Sequence, residues 1–170
     1  MSPEFHSPHK LKYASLSSTI NLDNFDCGDA DLNDFIKTDA LVYHQKGIAN
    51  TTCVFFDNKL IGFYSLAADA LSIESMGNDA MGKNLRKFPA IKVARMAFIK
   101  EMQRVGLGKL IVEIIKGFAI DVNQRGLGVR FITVDAYSDK LEFYKRNGFI
   151  LNTVKATKSP TISMRCDIFK

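Results

Sequence analysis

The run Gln103-Arg104-Val105-Gly106-Leu107-Gly108-Lys109 is the stretch of this sequence best equipped for chemistry. Two glycines at the entry to an apolar helix remove the Cβ atoms that would keep a ligand away from the backbone. The N–H groups of such a turn, with the positive end of the helix, converge on a point where an anion such as a pyrophosphate is held. Arg104 and Lys109 add side-chain charge. The pattern is not the dinucleotide fingerprint Gly-x-Gly-x-x-Gly, because Ile111 stands at the third glycine, and it lacks the Gly-Lys-Ser/Thr of a phosphate loop. Taken alone, it also reads as an ordinary strand-to-helix connection.

Other reactive residue types are sparse. Glu101, in the same turn, and Asp135, near a strand end, are carboxylates positioned to act as bases, although each reads first as a surface or capping group. His44 falls in a helix, and His6 and His9 in the N-terminal tail. None has a partner at metal-ligand spacing, so no metal is expected. Cys27, Cys53 and Cys166 are widely spaced and form no Cys-x-x-Cys pair, which argues against a disulfide framework and for a reducing, cytoplasmic setting. Cys53, in a strand, reads as core.

The elements that must carry the turn follow from periodicity. Residues 91–99 are apolar on both faces apart from Lys92 and Arg95, which suits a strand covered on both sides. After the turn, Leu107, Leu110, Ile111, Ile114, Ile115, Phe118 and Val122 fall on one helical face, and Gly117 within it suggests close packing. Upstream, residues 11–18 read as a strand. Asp29 is placed to cap a helix with Leu32, Phe35, Ile36, Ala40 and Tyr43 on one face, and Gly47 stops it. Residues 51–56 and 60–68 form a hairpin around Asp57-Asn58. The 72–89 segment reads as a long loop of the kind that is often functional. Downstream come a buried strand over 131–136 and a short helix boxed by Asp139 and Glu142 and ended by Asn147-Gly148. Strands over 149–154 and 162–169 follow, turning at Lys158-Ser159-Pro160. The order β-α-β-β-loop-β-α-β-α-β-β describes an α/β (mixed α+β) sheet with helices packed on it.

The chain has 170 residues, 46% of them apolar and 24% charged, which is ordinary for one globular domain with a real core. Residues 1–10 read as a disordered tail and 11–170 as a single domain. No apolar run approaches the roughly 20 residues of a membrane span, and no secretion signal is visible at the start. The formal net charge of +5 favours anionic partners, either a nucleotide cofactor or nucleic acid.

A second motif lies downstream of the glycine turn: Leu141-Glu-Phe-Tyr-Lys-Arg-Asn-Gly-Phe149. Together with Arg95-Met96-Ala97-Phe98 and the 103–108 turn, in this order, it resembles the GNAT superfamily of acyl-CoA-dependent N-acetyltransferases. The resemblance implies a mostly antiparallel sheet splayed between two parallel strands and flanked by helices. It implies acetyl-CoA as co-substrate, with main-chain groups of Met96, Ala97 and Phe98 holding the pantetheine arm and acetyl carbonyl. The amides of Gln103, Arg104, Val105, Gly106, Leu107, Gly108 and Lys109 would hold the pyrophosphate. Tyr144 would protonate the leaving thiolate, a role for which a phenol on a rigid ring is suited. Tyr137-Ser138 occupies the place where the family often carries an asparagine contacting the coenzyme arm.

The front half, through Phe25-Asp-Cys-Gly28, Asp31-Leu-Asn-Asp-Phe-Ile36, Thr51-Thr-Cys-Val-Phe55 and Ile61-Gly-Phe-Tyr-Ser-Leu66, resembles the toxin branch of that superfamily. Those proteins acetylate the α-amino group of aminoacyl-tRNA and are encoded beside a small DNA-binding antitoxin, so tRNA and an antitoxin are the implied partners, with a homodimer a common state. Charge supplies an independent test. Residues 82–109 carry eight basic residues against Glu101, a local +7, while residues 19–39 carry six aspartates against Lys37. Arg86, Lys87 and Lys92 are the candidate nucleic-acid contacts. The basic sector reads equally as a set of contacts to the coenzyme phosphates, which leaves a small-molecule or peptide amine as the alternative acceptor. A non-catalytic acyl-CoA sensor is the alternative of another class.

Overall fold

The computed structural model describes residues 8–72, 74–76, 85–152 and 159–170. Among these, the strands are β1 Leu11–Ser15, β2 Asn50–Phe56, β3 Lys59–Ser72, β4 Lys87–Phe98, β5 Phe131–Tyr137, β6 Ile150–Leu151 and β7 Thr161–Asp167. The helices are α1 Ala30–Asp34, α2 Ala40–Gln45, α3 Leu107–Gln124 and α4 Leu141–Arg146. The strand order is β1-β2-β3-β4-β5-β7-β6. β4 and β5 are parallel, in register from Ala90↔Phe131 to Val93↔Val134, while β1–β2, β2–β3, β5–β7 and β6–β7 are antiparallel. This is the mixed α/β sheet expected. The chain forms two compact units, one of residues up to Ala67 with Ala94–Ile111, the other of Ala68–Val93 with Val112–Lys170.

In the first unit the β2–β3 hairpin turns at Asp57 and Asn58, with φ of 47° and 63°. Two consecutive left-handed residues make a turn whose twist matches the strands, and Asp and Asn tolerate it best after glycine. The Asp29 carboxylate accepts from the Leu32 N–H at 3.1 Å and starts α1, as expected. α1 and α2 are joined by a π turn over Phe35–Asp39, where the Ala40 N–H donates to the Phe35 carbonyl. The Thr38 hydroxyl donates to the Asp34 carbonyl at 2.9 Å, competing with the ordinary ladder. Phe35, Ile36 and Ala40 are buried, and the Phe25 and Phe35 rings pack on Phe63 with centroids 5.5 and 6.0 Å away. Tyr43, expected on the same buried face, is 38% exposed because the wider turn rotates it outward; its ring still meets the edge of Phe35. Cys53 is fully buried, as expected, and burial pushes its thiol up to about 11.

In the second unit Leu71, Met76, Phe88, Ala90 and Phe131 form one apolar cluster, with Phe88 and Phe131 meeting edge to face. Buried Arg165 is held by the Asn152 Oδ1 at 2.8 Å and by the Ser75 and Leu151 carbonyls. Gly148, at φ 87°, ends α4, and the Phe149 N–H returns to the Tyr144 carbonyl. Among the described residues no helix is long and apolar enough to cross a membrane.

Several expectations need correction. Residues 87–89, read as loop, belong to β4, and 74–76 form a short 3-10 turn; residues 73 and 77–84 lie outside the described residues. Pro8–Lys10, assigned to the tail, form a 3-10 turn leading into β1, while residues 1–7 lie outside. The last two strands are shorter than expected, and 153–158, with Lys158 of the expected turn, lie outside. The buried stripe of α3 is Leu107, Ile111, Val112, Ile115 and Ala119; Phe118 sits at its edge and is 47% exposed. A Cβ on Gly117 would meet nothing within 4 Å, so the close packing expected there is absent. The Asp139–Glu142 capping box does not form: Asp139 pairs with Lys140 and Glu142 with Lys145, both at the surface, and a 3-10 turn over Ser138–Lys140 leads into α4.

Candidate active site

The strand-to-helix turn is built within the first unit. After Phe98 the chain makes a 3-10 turn over Lys100–Met102, closed by the Met102 N–H to the Ile99 carbonyl and the Gln103 N–H to the Lys100 carbonyl. Arg104 then takes φ 61° and Gly106 φ 88°, and the Leu110 N–H donates to the Gly106 carbonyl as α3 begins. A left-handed arginine costs of order 1–3 kcal/mol, and such strain persists where surrounding contacts enforce it. Among the described residues no acceptor takes the N–H groups of residues 104–109. These donors open onto the first turn of an 18-residue helix, which is the electrostatic setting for a phosphate. Leu107, 1% exposed, anchors the turn from below, whereas Arg104 and Lys109 are exposed.

The strand leading into the turn is fixed just as closely. Met96 is half-buried, and Ala97 and Phe98 are buried. The Ile99 N–H donates to the Ile61 carbonyl at 2.9 Å. A Cβ on Gly62 would stand 2.4 Å from the Phe98 Cδ1 and 2.8 Å from the Ala97 carbonyl oxygen, so only glycine lets β3 approach here. The Phe98 carbonyl accepts from the Gln103 Nε2 at 2.9 Å, and the same nitrogen donates to the Cys27 carbonyl at 2.7 Å. Gly62 and the Gln103 side chain are contributions that the sequence did not signal. Nothing in local spacing links residue 62 to 98 or residue 27 to 103.

Tyr144 lies in the second unit. It is 8% exposed, between the rings of Phe143 and Phe149 at centroid distances of 5.0 and 5.2 Å. Its hydroxyl makes no hydrogen bond among the described residues, and burial pushes its pKa up to about 12. It is therefore a fully protonated donor at neutral pH. Asp135 is engaged by Lys92, which leaves neither as a free group. Glu101 is exposed in the 3-10 turn, and the His44 Nδ1 accepts from the Thr51 N–H. Arg86 and Lys87 are exposed, whereas Lys92 is half-buried in its ion pair. Arg95 lies over the Phe35 ring at 5.3 Å, and Lys100 is paired with Asp26; Lys83 lies outside the described residues. The +7 counted along the sequence is thus partly neutralised or engaged.

No family model matches the sequence. A solved bacterial toxin superposes with a TM-score of 0.81 at 16% identity, covering 94% of this chain and 91% of that one. AtaT complexed with acetyl-methionyl-tRNAfMet superposes with a TM-score of 0.71 at 19% identity, over 92% and 94% of the two chains. The chain has the GNAT fold. A variant of the GNAT-fold toxin AtaT, solved with the C-terminus of the antitoxin AtaR and acetyl-CoA, superposes at 0.67 with 19% identity over 94% of each chain. By sequence, this GNAT-fold chain is 26% identical over 129 residues to a tRNA-acetylating toxin of Mycobacterium tuberculosis, spanning 74% of the chain and 75% of that relative.

Proposed function

We propose that the protein is an acetyl-CoA-dependent N-acetyltransferase that acetylates the α-amino group of aminoacyl-tRNA, with residues 11–170 acting as one catalytic domain. The observation that carries the reading is the turn after β4, where left-handed Arg104 and Gly106 leave the amides of residues 104–109 without acceptors at the start of α3. A run of donors of this kind suits the coenzyme pyrophosphate. The fold shared with AtaT, and the tRNA-acetylating relative, support the choice of acceptor.

In this reading the main chain of Met96, Ala97 and Phe98 lines the pantetheine arm and orients the thioester. The neutral amine attacks the acetyl carbonyl carbon; the N–C bond forms, the C–S bond breaks and the amine loses a proton to water. Tyr144 meets the leaving thiolate. A phenol with a pKa near 12 cannot transfer its proton completely to a thiolate whose thiol has a pKa of about 8.5 while its own environment is unchanged. Its first contribution is a hydrogen bond to the negative charge as it develops on sulfur, with the proton following as that charge grows. Arg86 and Lys87, both exposed, are the residues assigned to tRNA phosphates. A small antitoxin partner, supported by the antitoxin-bound AtaT, belongs to the same proposal, as does a cytoplasmic site of action.

The decisive assay is transfer of labelled acetyl from acetyl-CoA to charged and to deacylated tRNA. Label only on the charged species supports the proposal; equal label on both, or on neither, sinks it. The pairing of Lys92 and Lys100 with aspartates favours a smaller amine acceptor as the second reading. Thiol release with simple amines, in the absence of tRNA, distinguishes it.

A further inference from the structure

Residues 25–28 lie about 75 positions ahead of the phosphate turn, yet they touch it at three points. The Gln103 Nε2 donates to the Cys27 carbonyl as well as to the Phe98 carbonyl, the Lys100 N–H donates to the Asp26 carbonyl at 3.2 Å, and the Lys100 ammonium pairs with the Asp26 carboxylate. Two carbonyls facing one side-chain nitrogen fix which end of the Gln103 amide points there. The loop is built to present these groups. The Asp26 Oδ1 accepts from the Gly28 N–H at 2.8 Å and from the Asn33 Nδ2 at 2.9 Å, while the Asn33 Oδ1 accepts from the Cys27 N–H at 2.9 Å. Gly28, at φ 82°, leaves room for the Lys100 stem, since a Cβ there would lie 3.0 Å from its Cε. Three polar groups of one loop, the Asp26 carbonyl and carboxylate and the Cys27 carbonyl, thus converge on Lys100 and Gln103, just ahead of left-handed Arg104.

We infer that the Phe25–Gly28 loop is a positioning element of the coenzyme turn, with Gln103 and Lys100 acting as its two tethers rather than as side-chain contacts to the coenzyme. The tethers hold the 3-10 turn against the strand end and keep Arg104 in its strained conformation, so that the amides of residues 104–109 stay aimed before any ligand arrives. Preorganisation of this kind lowers the cost of binding without adding a contact. The inference rests on the acetyl-CoA reading of the site and gives the acidic front segment a task there. The rival assignment makes Lys100, whose side chain is 60% exposed, a direct phosphate contact.

The two assignments predict opposite behaviour of Asp26→Asn. Coenzyme A affinity is measured by calorimetry on the full chain for wild type, Asp26→Asn, Lys100→Met and the double variant. With Lys100 as a tether, both single variants weaken binding three- to tenfold, and the double variant is no worse than the weaker single one. With Lys100 on the phosphate, Asp26→Asn leaves binding unchanged or tightens it while Lys100→Met weakens it, which overturns the proposal for that residue. Gln103→Glu keeps the shape but loses both donors and should weaken binding at least tenfold; Gln103→Arg keeps two donors and should restore it to within threefold. In steady state the losses should fall on the KM for acetyl-CoA rather than on kcat. Hydrogen exchange of the ligand-free chain supplies a reading independent of the coenzyme: the hydrogen-bonded amides that bracket the turn, those of Met102, Gln103 and Leu110, exchange at least fivefold faster in Gln103→Glu than in wild type. Unchanged exchange refutes the tether even if coenzyme binds, whereas faster exchange in a chain that binds no coenzyme A leaves the tether standing and removes the functional reading instead.

Discussion

Replacing Tyr144 by phenylalanine should lower turnover while leaving stability near neutral pH almost unchanged. The side chain is 8% exposed, and its hydroxyl has no partner among the described residues. The oxygen is not among the fully buried atoms left without a partner, so deleting the hydroxyl should change stability by less than about 1 kcal/mol, equivalent to less than about 2–4 °C in Tm for a chain of this size. The two ring contacts, to Phe143 and Phe149, are retained by phenylalanine. Turnover with charged tRNA should fall at least tenfold, and by as much as the roughly 10²–10⁴-fold that a full proton donor contributes. The pH dependence supplies an internal control. Burial raises the folded-state pKa from 10.0 to about 12, so the folded state holds this proton more tightly than the unfolded chain. The associated stabilisation is complete below pH 10 and is lost as pH climbs to 12, about 2–3 kcal/mol at 1.36 kcal/mol per pH unit. Tyr144→Phe should lack that alkaline loss, and Tyr13, whose pKa is also raised by burial, cancels because it is present in both proteins. Urea titrations at pH 8 and above pH 10, paired with acetyl transfer at saturating acetyl-CoA, test both halves. A variant that turns over normally refutes the donor role; one that is destabilised by more than about 1 kcal/mol at pH 8 shows that the hydroxyl serves the fold.

Gly62→Ala would place a Cβ 2.4 Å from the Phe98 ring, so the strand end must move; a loss of about 1–3 kcal/mol in urea titration, together with a raised acetyl-CoA KM, is expected. If stability drops but the KM does not change, the Phe98 region does not line the cofactor. Gly106→Val forces a β-branched residue into φ 88° and should abolish measurable coenzyme A binding by calorimetry while leaving a folded chain by circular dichroism. Arg86 and Lys87 changed together to alanine should weaken tRNA binding and lower its salt slope by about 2, with acetyl-CoA affinity unaltered; an unchanged slope removes both residues from the nucleic-acid surface.

Legibility followed the range of the interactions. Asp29, Asp57-Asn58, Gly47 and Gly148 act within a few residues of themselves, and each does what its type and position imply. The phosphate turn was visible for the same reason: glycine spacing and an amphipathic helix are local properties. The Asp139–Glu142 box failed because both carboxylates are exposed and a lysine three residues or fewer away offers a charged partner with little strain. Tyr43 is misplaced because an i→i+5 turn shifts the helical phase by one residue, and the Thr38 hydroxyl bonded within that turn leaves no mark on the periodicity. The local charge of the basic sector overstated its freedom, since Lys92 and Lys100 find their aspartates 43 and 74 residues away. Pairings at such distance leave no periodic trace in a single sequence.

The link between residues 26–27 and 100–103 also bears on the order in which a ribosome can complete the protein. Its partners are separated by 74 and 76 positions, so the first half of the tether emerges long before the second. Closing a loop of that length costs entropy that local turns and hairpins do not, and contacts of this kind form late in folding. A nascent chain halted before residue 100 can hold the β2–β3 hairpin and the capped first helix, but it has no finished coenzyme cradle. Competence to bind would then arrive abruptly, once the strand, the turn and the opening of α3 have all been synthesised, instead of growing with chain length.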